Sequence, residues 1–103
     1  MQYLVTAFDG KDSEAGMRRI SARPQHLEGV RKCIKEGKHL YGAAILDDNG
    51  NMIGSVMIVD YPSKEILENE WLRNEPYVVG DVWKEIYIKP CNVPDVFLRN
   101  TSQ

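Results

Sequence analysis

A β-favouring run opens the chain, with Tyr3, Val5, Thr6 and Phe8 inside Met1–Phe8, and Asp9-Gly10 breaks it. Apolar residues next recur with helical spacing at Leu27, Val30 and Ile34, which predicts a helix from Pro24 to Glu36 with Gly37 as its stop. A separate helical turn is expected over residues 12–20, capped by Asp12 or Ser13. Strands follow over His39–Leu46 and Met52–Asp60. They are joined by the turn Asp47-Asp48-Asn49-Gly50-Asn51, because Asn-Gly tolerates positive φ. A second helix is expected over Ser63–Arg73 with Ile66, Leu67 and Trp71 facing inwards. It stops before Pro76, since the residue preceding a proline avoids helical geometry. Alternation at Ile86 and Ile88 marks a fourth strand, Trp83–Lys89, closed by Pro90. The chain thus divides into a domain over residues 1–90 and a tail, 91–103, whose Val93, Val96, Phe97 and Leu98 need cover.

The order β-α-β-β-α-β is the ferredoxin-like α+β plan. Right-handed crossovers make strands 1 and 2 parallel in direction, as are strands 3 and 4, and the hairpin sets the two pairs antiparallel. The C-terminal end of strand 1 then shares a sheet edge with the starts of strands 3 and 4. Asp9, Arg23, His26, Ser55 and Glu75 collect at that edge from distant parts of the chain. In Val56-Met57-Ile58-Val59 both faces of strand 3 are apolar, although helices are expected to cover only one. A homodimer whose sheets meet face to face resolves that conflict.

Length and composition narrow the class. The chain has 103 residues, enough for one domain with a modest core. A net charge of −2 argues against a general nucleic-acid binder. Positive charge still gathers early, and Arg18, Arg19 and Arg23 are candidates to attract a small anion, against the plainer reading of a solvated helix face. No run approaches the roughly 20 apolar residues of a membrane span. Asp9 and Lys11 interrupt the first apolar stretch, and Cys33 and Cys91 are isolated thiols that suit a reducing compartment, so a cytoplasmic location is expected. The two cysteines and two histidines show no metal-ligand spacing, and no phosphate loop is present, so neither metal nor cofactor is implied.

Candidate chemistry centres on Arg23-Pro24-Gln25-His26-Leu27. Proline is favoured at the first helical position, which puts His26 in the first turn. The macrodipole disfavours a positive imidazole there, and a neutral histidine is a usable proton acceptor. The expected catalytic pair is His26 with Asp9, the carboxylate orienting the ring and stabilising the imidazolium. Arg23, Ser55 and Glu75 are the expected substrate-binding residues, Arg23 by a forked contact with an anion. Each has a plainer reading. Asp9 is then a turn residue, Glu75 a solvated helix-end carboxylate, and Ser55 a small strand residue. His39 is read as a surface residue, and Tyr77 and Trp83 as core or subunit-contact aromatics.

Five pieces in order resemble the YCII-related family: Ala7-Phe8-Asp9, Arg23-Pro24-Gln25-His26-Leu27, Gly54-Ser55, Glu75-Pro76-Tyr77-Val78 and Ile88-Lys89-Pro90. The resemblance implies a dimeric α/β barrel built from two ferredoxin-like subunits, with a histidine and an acidic partner, here His26 and Asp9. Relatives include a dehydrochlorinase of a chlorinated hydroxyquinol. The family's usual aspartate before proline is Glu75 here, which keeps the charge and adds a methylene. The implied activity is cofactor-independent, lyase- or isomerase-like proton transfer on a small aromatic or anionic molecule. The alternative is a non-catalytic metabolite-binding or regulatory dimer using the same pocket.

Overall fold

Four strands form one antiparallel sheet in the order β2-β3-β1-β4 in the computed structural model, which describes residues 1–98. They are β1 (Gln2–Asp9), β2 (His39–Leu46), β3 (Met52–Asp60) and β4 (Trp83–Cys91). β1 is central, paired with β3 on one side and β4 on the other. The register sets Ala7 opposite Ser55 and Asp9 opposite Trp83. The end of β1 therefore shares an edge with the starts of β3 and β4, as the ferredoxin-like topology requires.

One face of the sheet carries the helices. Along β1 alternate residues are buried, so Tyr3, Val5, Ala7 and Asp9 all point to that face. Tyr3, Val5 and Ala7, with Met57 and Val59 of β3, join Leu67, Trp71 and Tyr77 in the core. The opposite face holds the half-buried Leu4, Phe8, Val56 and Ile58, and the more exposed Tyr41 and Tyr87. The chain after β4 runs back beneath it. The backbone N–H of Val93 donates to Gln2, and the Tyr41 hydroxyl donates to the Phe97 carbonyl within the short helix α4 (Asp95–Leu98).

The helices differ from the sequence expectation. The expected turn over 12–20 and helix from Pro24 are a single helix, α1 (Ala15–Lys35), with Pro24 inside it. Proline removes one helical hydrogen bond, to the carbonyl four residues back. Both Pro24 and Ile20 are exposed, so the freed carbonyl lies on the water side and the break is tolerated. The expected helix over 63–73 is three joined segments. The α turn α2 (Lys64–Ile66), capped by Ser63, widens to a π turn over Leu67–Trp71 and tightens to 3₁₀ over Leu72–Asn74. A further short helix, α3 (Pro76–Val79), follows where a non-helical end was expected.

Candidate functional site

A Glu-Pro-Tyr triplet builds half of the site. Glu75 precedes a proline and is extended (φ −62°, ψ 126°), and Pro76 starts α3. The Glu75 carboxylate folds back to cap the new helix, accepting from the Tyr77 backbone N–H at 3.2 Å. The same oxygen accepts from His26 Nδ1 at 2.6 Å, and the other accepts from Trp71 Nε1 at 3.1 Å. Glu75 is thus a buried, 3% exposed acceptor of three hydrogen bonds. The Tyr77 ring lies flat beneath His26, with centroids 4.0 Å apart and planes inclined by 14°. Burial raises the Tyr77 phenol above its ordinary range.

The other half is built on Arg19, two helical turns before His26 on the same side of α1. Arg19 donates from Nη1 to both oxygens of Asp9 at 2.9 and 3.0 Å, and from Nη2 to Ser55 Oγ at 2.9 Å. Its guanidinium also lies 4.7 Å from the centre of the Tyr77 ring. Ser55 Oγ accepts a second bond from Trp83 Nε1 at 3.2 Å. Gly54 permits this arrangement. A Cβ there would stand 2.4 Å from the Ala7 carbonyl oxygen, so only glycine lets β3 approach β1 closely enough to place Ser55.

These contacts correct the expected pairing. His26 is partnered by Glu75, and Asp9 is partnered by Arg19. The macrodipole argument for His26 also fails, because the residue lies eleven positions beyond the start of α1 rather than in its first turn. His39 is buried, not superficial. Its Nε2 lies 3.3 Å from the Tyr61 hydroxyl and its ring stands edge-on to Trp71. Burial pushes its pKa down to about 4, so the ring is neutral. Arg18 is held away from the site by Asp12 and the Asp81 carbonyl.

A cavity of about 460 Å³ opens beside this cluster, between α1 and the inner face of β2 and β3. Arg19, Arg23, His26 and Ser55 line one end, and Leu27, Val30, Ile34, Leu40 and Met57 line the rest. Arg23 sits exposed at the polar end and makes no ion pair among the described residues. Ser55 and Arg23 therefore reach the cavity as expected. Glu75 stands behind His26 and is not among its lining residues. Among the described residues no group of three or more His, Cys, Asp or Glu side chains gathers to hold a metal. No helix there is long and apolar enough to cross a membrane.

Sequence reasoning gave none of Arg19, Tyr77 and Trp71 its place in the site: Arg19 was a candidate only to attract an anion, and Tyr77 and Trp71 were read as core or inward-facing aromatics. The signal for Arg19 was its spacing of seven from His26, visible only if α1 is read as continuous through Pro24.

The fold and site define a ferredoxin-like α+β domain with a buried His–carboxylate pair at the head of a ligand-sized cavity. Residues 1–92 match the YCII-related domain, and the chain belongs to that family. No curated protein matches it. Among solved structures it is similar to the 5-chloro-2-hydroxyhydroquinone dehydrochlorinase of Burkholderia phenoliruptrix AC1100, in complex with 2,5-dihydroxybenzoquinone. That likeness has a TM-score of 0.75 at 19% identity, over 93% of this chain and 98% of the other. An antibiotic biosynthesis monooxygenase matches with a TM-score of 0.52 at 17% identity, over 90% of this chain and 98% of that one. At these identities the likenesses show the fold.

Proposed function

We propose that the chain is a cofactor-independent acid–base enzyme acting on a small acidic molecule held between α1 and β2. The single observation that carries this reading is the 2.6 Å contact between His26 Nδ1 and the buried Glu75 carboxylate. A carboxylate cannot donate, so Nδ1 carries the proton and Nε2 is the basic ring nitrogen available to a molecule in the cavity that His26 lines. In the proposed step Nε2 takes a proton from an acidic O–H or C–H of the ligand. The released electron pair then expels an anionic leaving group, or the proton returns at another atom. Glu75 stabilises the imidazolium that forms, and the flat stack on Tyr77 fixes the ring plane. Asp9 is assigned the task of holding Arg19 beside the ligand, and Arg23 attracts the anion.

The second reading, a metabolite-binding dimer without chemistry, is favoured by the burial of the pair: Glu75 is fully engaged by His26, Trp71 and Tyr77, as a purely structural group would be. The solved relative suggests the probes. Binding of 2,5-dihydroxybenzoquinone is followed by quenching of tryptophan emission, and turnover by chloride release from 5-chloro-2-hydroxyhydroquinone. General acid–base catalysis contributes about 10²–10⁴-fold, so His26→Gln should lose turnover by at least about a hundredfold while keeping ligand affinity within about tenfold. A folded His26→Gln with full turnover removes His26 from the chemistry. Binding without turnover in the unmodified protein favours the second reading for this molecule.

The assembly proposed with either reading is a homodimer joined through the open face of the sheet. Phe8, Val56 and Ile58 lie there half-covered, beside Tyr41 and Tyr87, which are 41% and 52% exposed. A contiguous apolar face of this kind on an antiparallel sheet ordinarily meets a partner.

A further inference from the structure

The cavity is longer than its polar end requires. Its charged groups, Arg19 and Arg23, sit at one end with His26 and Ser55, and the far end adds only the polar side chains of His39 and Tyr41. From His26 the lining continues along α1 through Leu27 and Val30 to Ile34, eight residues or about 12 Å of helix. The facing stretch of β2, from Ala44 back to Leu40, spans about 13 Å. The two walls therefore run side by side for the same distance. The middle of the wall from β2 is made of small residues, Gly42, Ala43 and Ala44, which leave the space open between His26 and Leu40. Ile34 is 54% exposed on the rim, although it belongs to the apolar stripe of α1. His39 at the far end is neutral and engaged with Tyr61 and Trp71, so that end offers no charge.

Charge is equally one-sided. Asp9 neutralises Arg19, and the Glu75 carboxylate stands behind His26, outside the lining, whereas Arg23 at the mouth has no ion-pair partner among the described residues. The groove's lining thus combines a cation without an ion-pair partner among the described residues at one end with a long, mostly apolar remainder.

We propose that this groove takes a monoanionic acid with an elongated apolar body, the acid group at Arg23 and His26 and the body lying along α1 towards Ile34. The inference rests on the reading of the His26 cavity as the ligand site and extends it from head group to substrate class. A single-ring molecule would fill the polar end and leave the apolar walls wet.

Straight-chain carboxylates from butanoate to decanoate, each kept below its micelle concentration, are the probes, and calorimetric titration gives the affinities. Burying a methylene should tighten binding about fourfold, so affinity should climb stepwise with chain length as far as the Ile34 end. Gly42→Val narrows the middle of the groove. A Cβ at Gly42 meets only Met57 Cγ at 3.7 Å and Val56 O at 3.8 Å, ordinary contacts, so the backbone position accepts a side chain. It should flatten the chain-length gain and leave butanoate within about twofold. Ile34→Gln, on the exposed rim, provides the same test if Gly42→Val fails to fold, and should weaken only the longest acids. Arg23→Gln should weaken every acid by a common factor.

Butanoate binding with no gain for longer acids overturns the elongated body and leaves the proposed ligand site standing. A gain unaffected by both groove variants overturns it too, because the chain then lies elsewhere, including in the face between two copies. Failure of every acid to bind the unmodified protein overturns this inference, while the quinone titration still decides the ligand site independently.

Discussion

Replacing Glu75 by glutamine tests the core of the site without changing its shape. The carboxylate accepts from His26 Nδ1, the Tyr77 backbone N–H and Trp71 Nε1. A glutamine keeps one acceptor oxygen and gains two donors. Turned one way, its oxygen serves His26 and Tyr77 and its amide confronts the Trp71 N–H. Turned the other way, the amide confronts the Tyr77 N–H, and His26 has to move its proton to Nε2 to accept from it. The first orientation wins and leaves one buried donor unpaired, at about 1–3 kcal/mol. The bond to His26 also loses its charge assistance, about a further 1 kcal/mol. The expected loss is about 2–4 kcal/mol, a large share of the 5–15 kcal/mol typical of a domain. Each kcal/mol lowers the melting temperature of a domain this size by about 4–8 °C. Urea unfolding followed by tryptophan emission measures it, with the exposed Glu68→Gln as control, for which a change under about 0.5 kcal/mol is expected. A Glu75→Gln midpoint equal to that of the control would refute the argument, since no buried triple acceptor is so easily replaced.

Three other outcomes are expected. Asp9→Ala leaves the Arg19 charge buried and unpaired and should cost about 3–5 kcal/mol, whereas Asp9→Ala combined with Arg19→Met should recover much of it, read from the same urea curves as a coupling. His39 has a folded pKa near 4 against about 6.5 when exposed, so the unfolded chain binds a proton that the folded one refuses. Stability should therefore fall as pH drops from about 6.5 towards 4, and His39→Gln should reduce that fall in urea midpoints compared at pH values across the window. Ile58→Arg on the open sheet face should convert a dimer to a folded monomer in sedimentation velocity. An unchanged sedimentation coefficient would place the subunit contact elsewhere.

Strands and topology were legible from the chain because each carries a local signal. β2 and β3 are bounded by an Asn-Gly turn, β4 begins at Trp83 as its alternation indicates but runs on through Pro90 to Cys91, since an edge strand tolerates proline, and the β-α-β-β-α-β rhythm then dictates which ends meet. The convergence of Asp9, His26, Ser55 and Glu75 follows from that topology alone. Which of them touch does not. Pro24 read as a helix start placed His26 in a first turn, but tertiary packing outweighs one lost hydrogen bond when the proline faces water. With α1 continuous, Arg19 falls on the His26 face and takes Asp9, and the carboxylate left for His26 is Glu75. That choice depends on how far α1 lies from α3, a distance set by the Tyr77 ring packed between them. No local pattern encodes it. His39 went astray for a similar reason: Lys38 beside it reads as surface, while the bulge after His39 turns its ring inwards.

Nitrogen NMR of protein labelled at histidine reads the central contact most directly, with His39→Gln used to assign the two rings. At neutral pH the expected spectrum has the His26 proton on Nδ1, facing Glu75, and a bare Nε2 whose resonance moves when 2,5-dihydroxybenzoquinone saturates the cavity. A proton on Nε2 with Nδ1 bare, or an Nε2 resonance indifferent to the bound ligand, would contradict the assignment of His26 as the base.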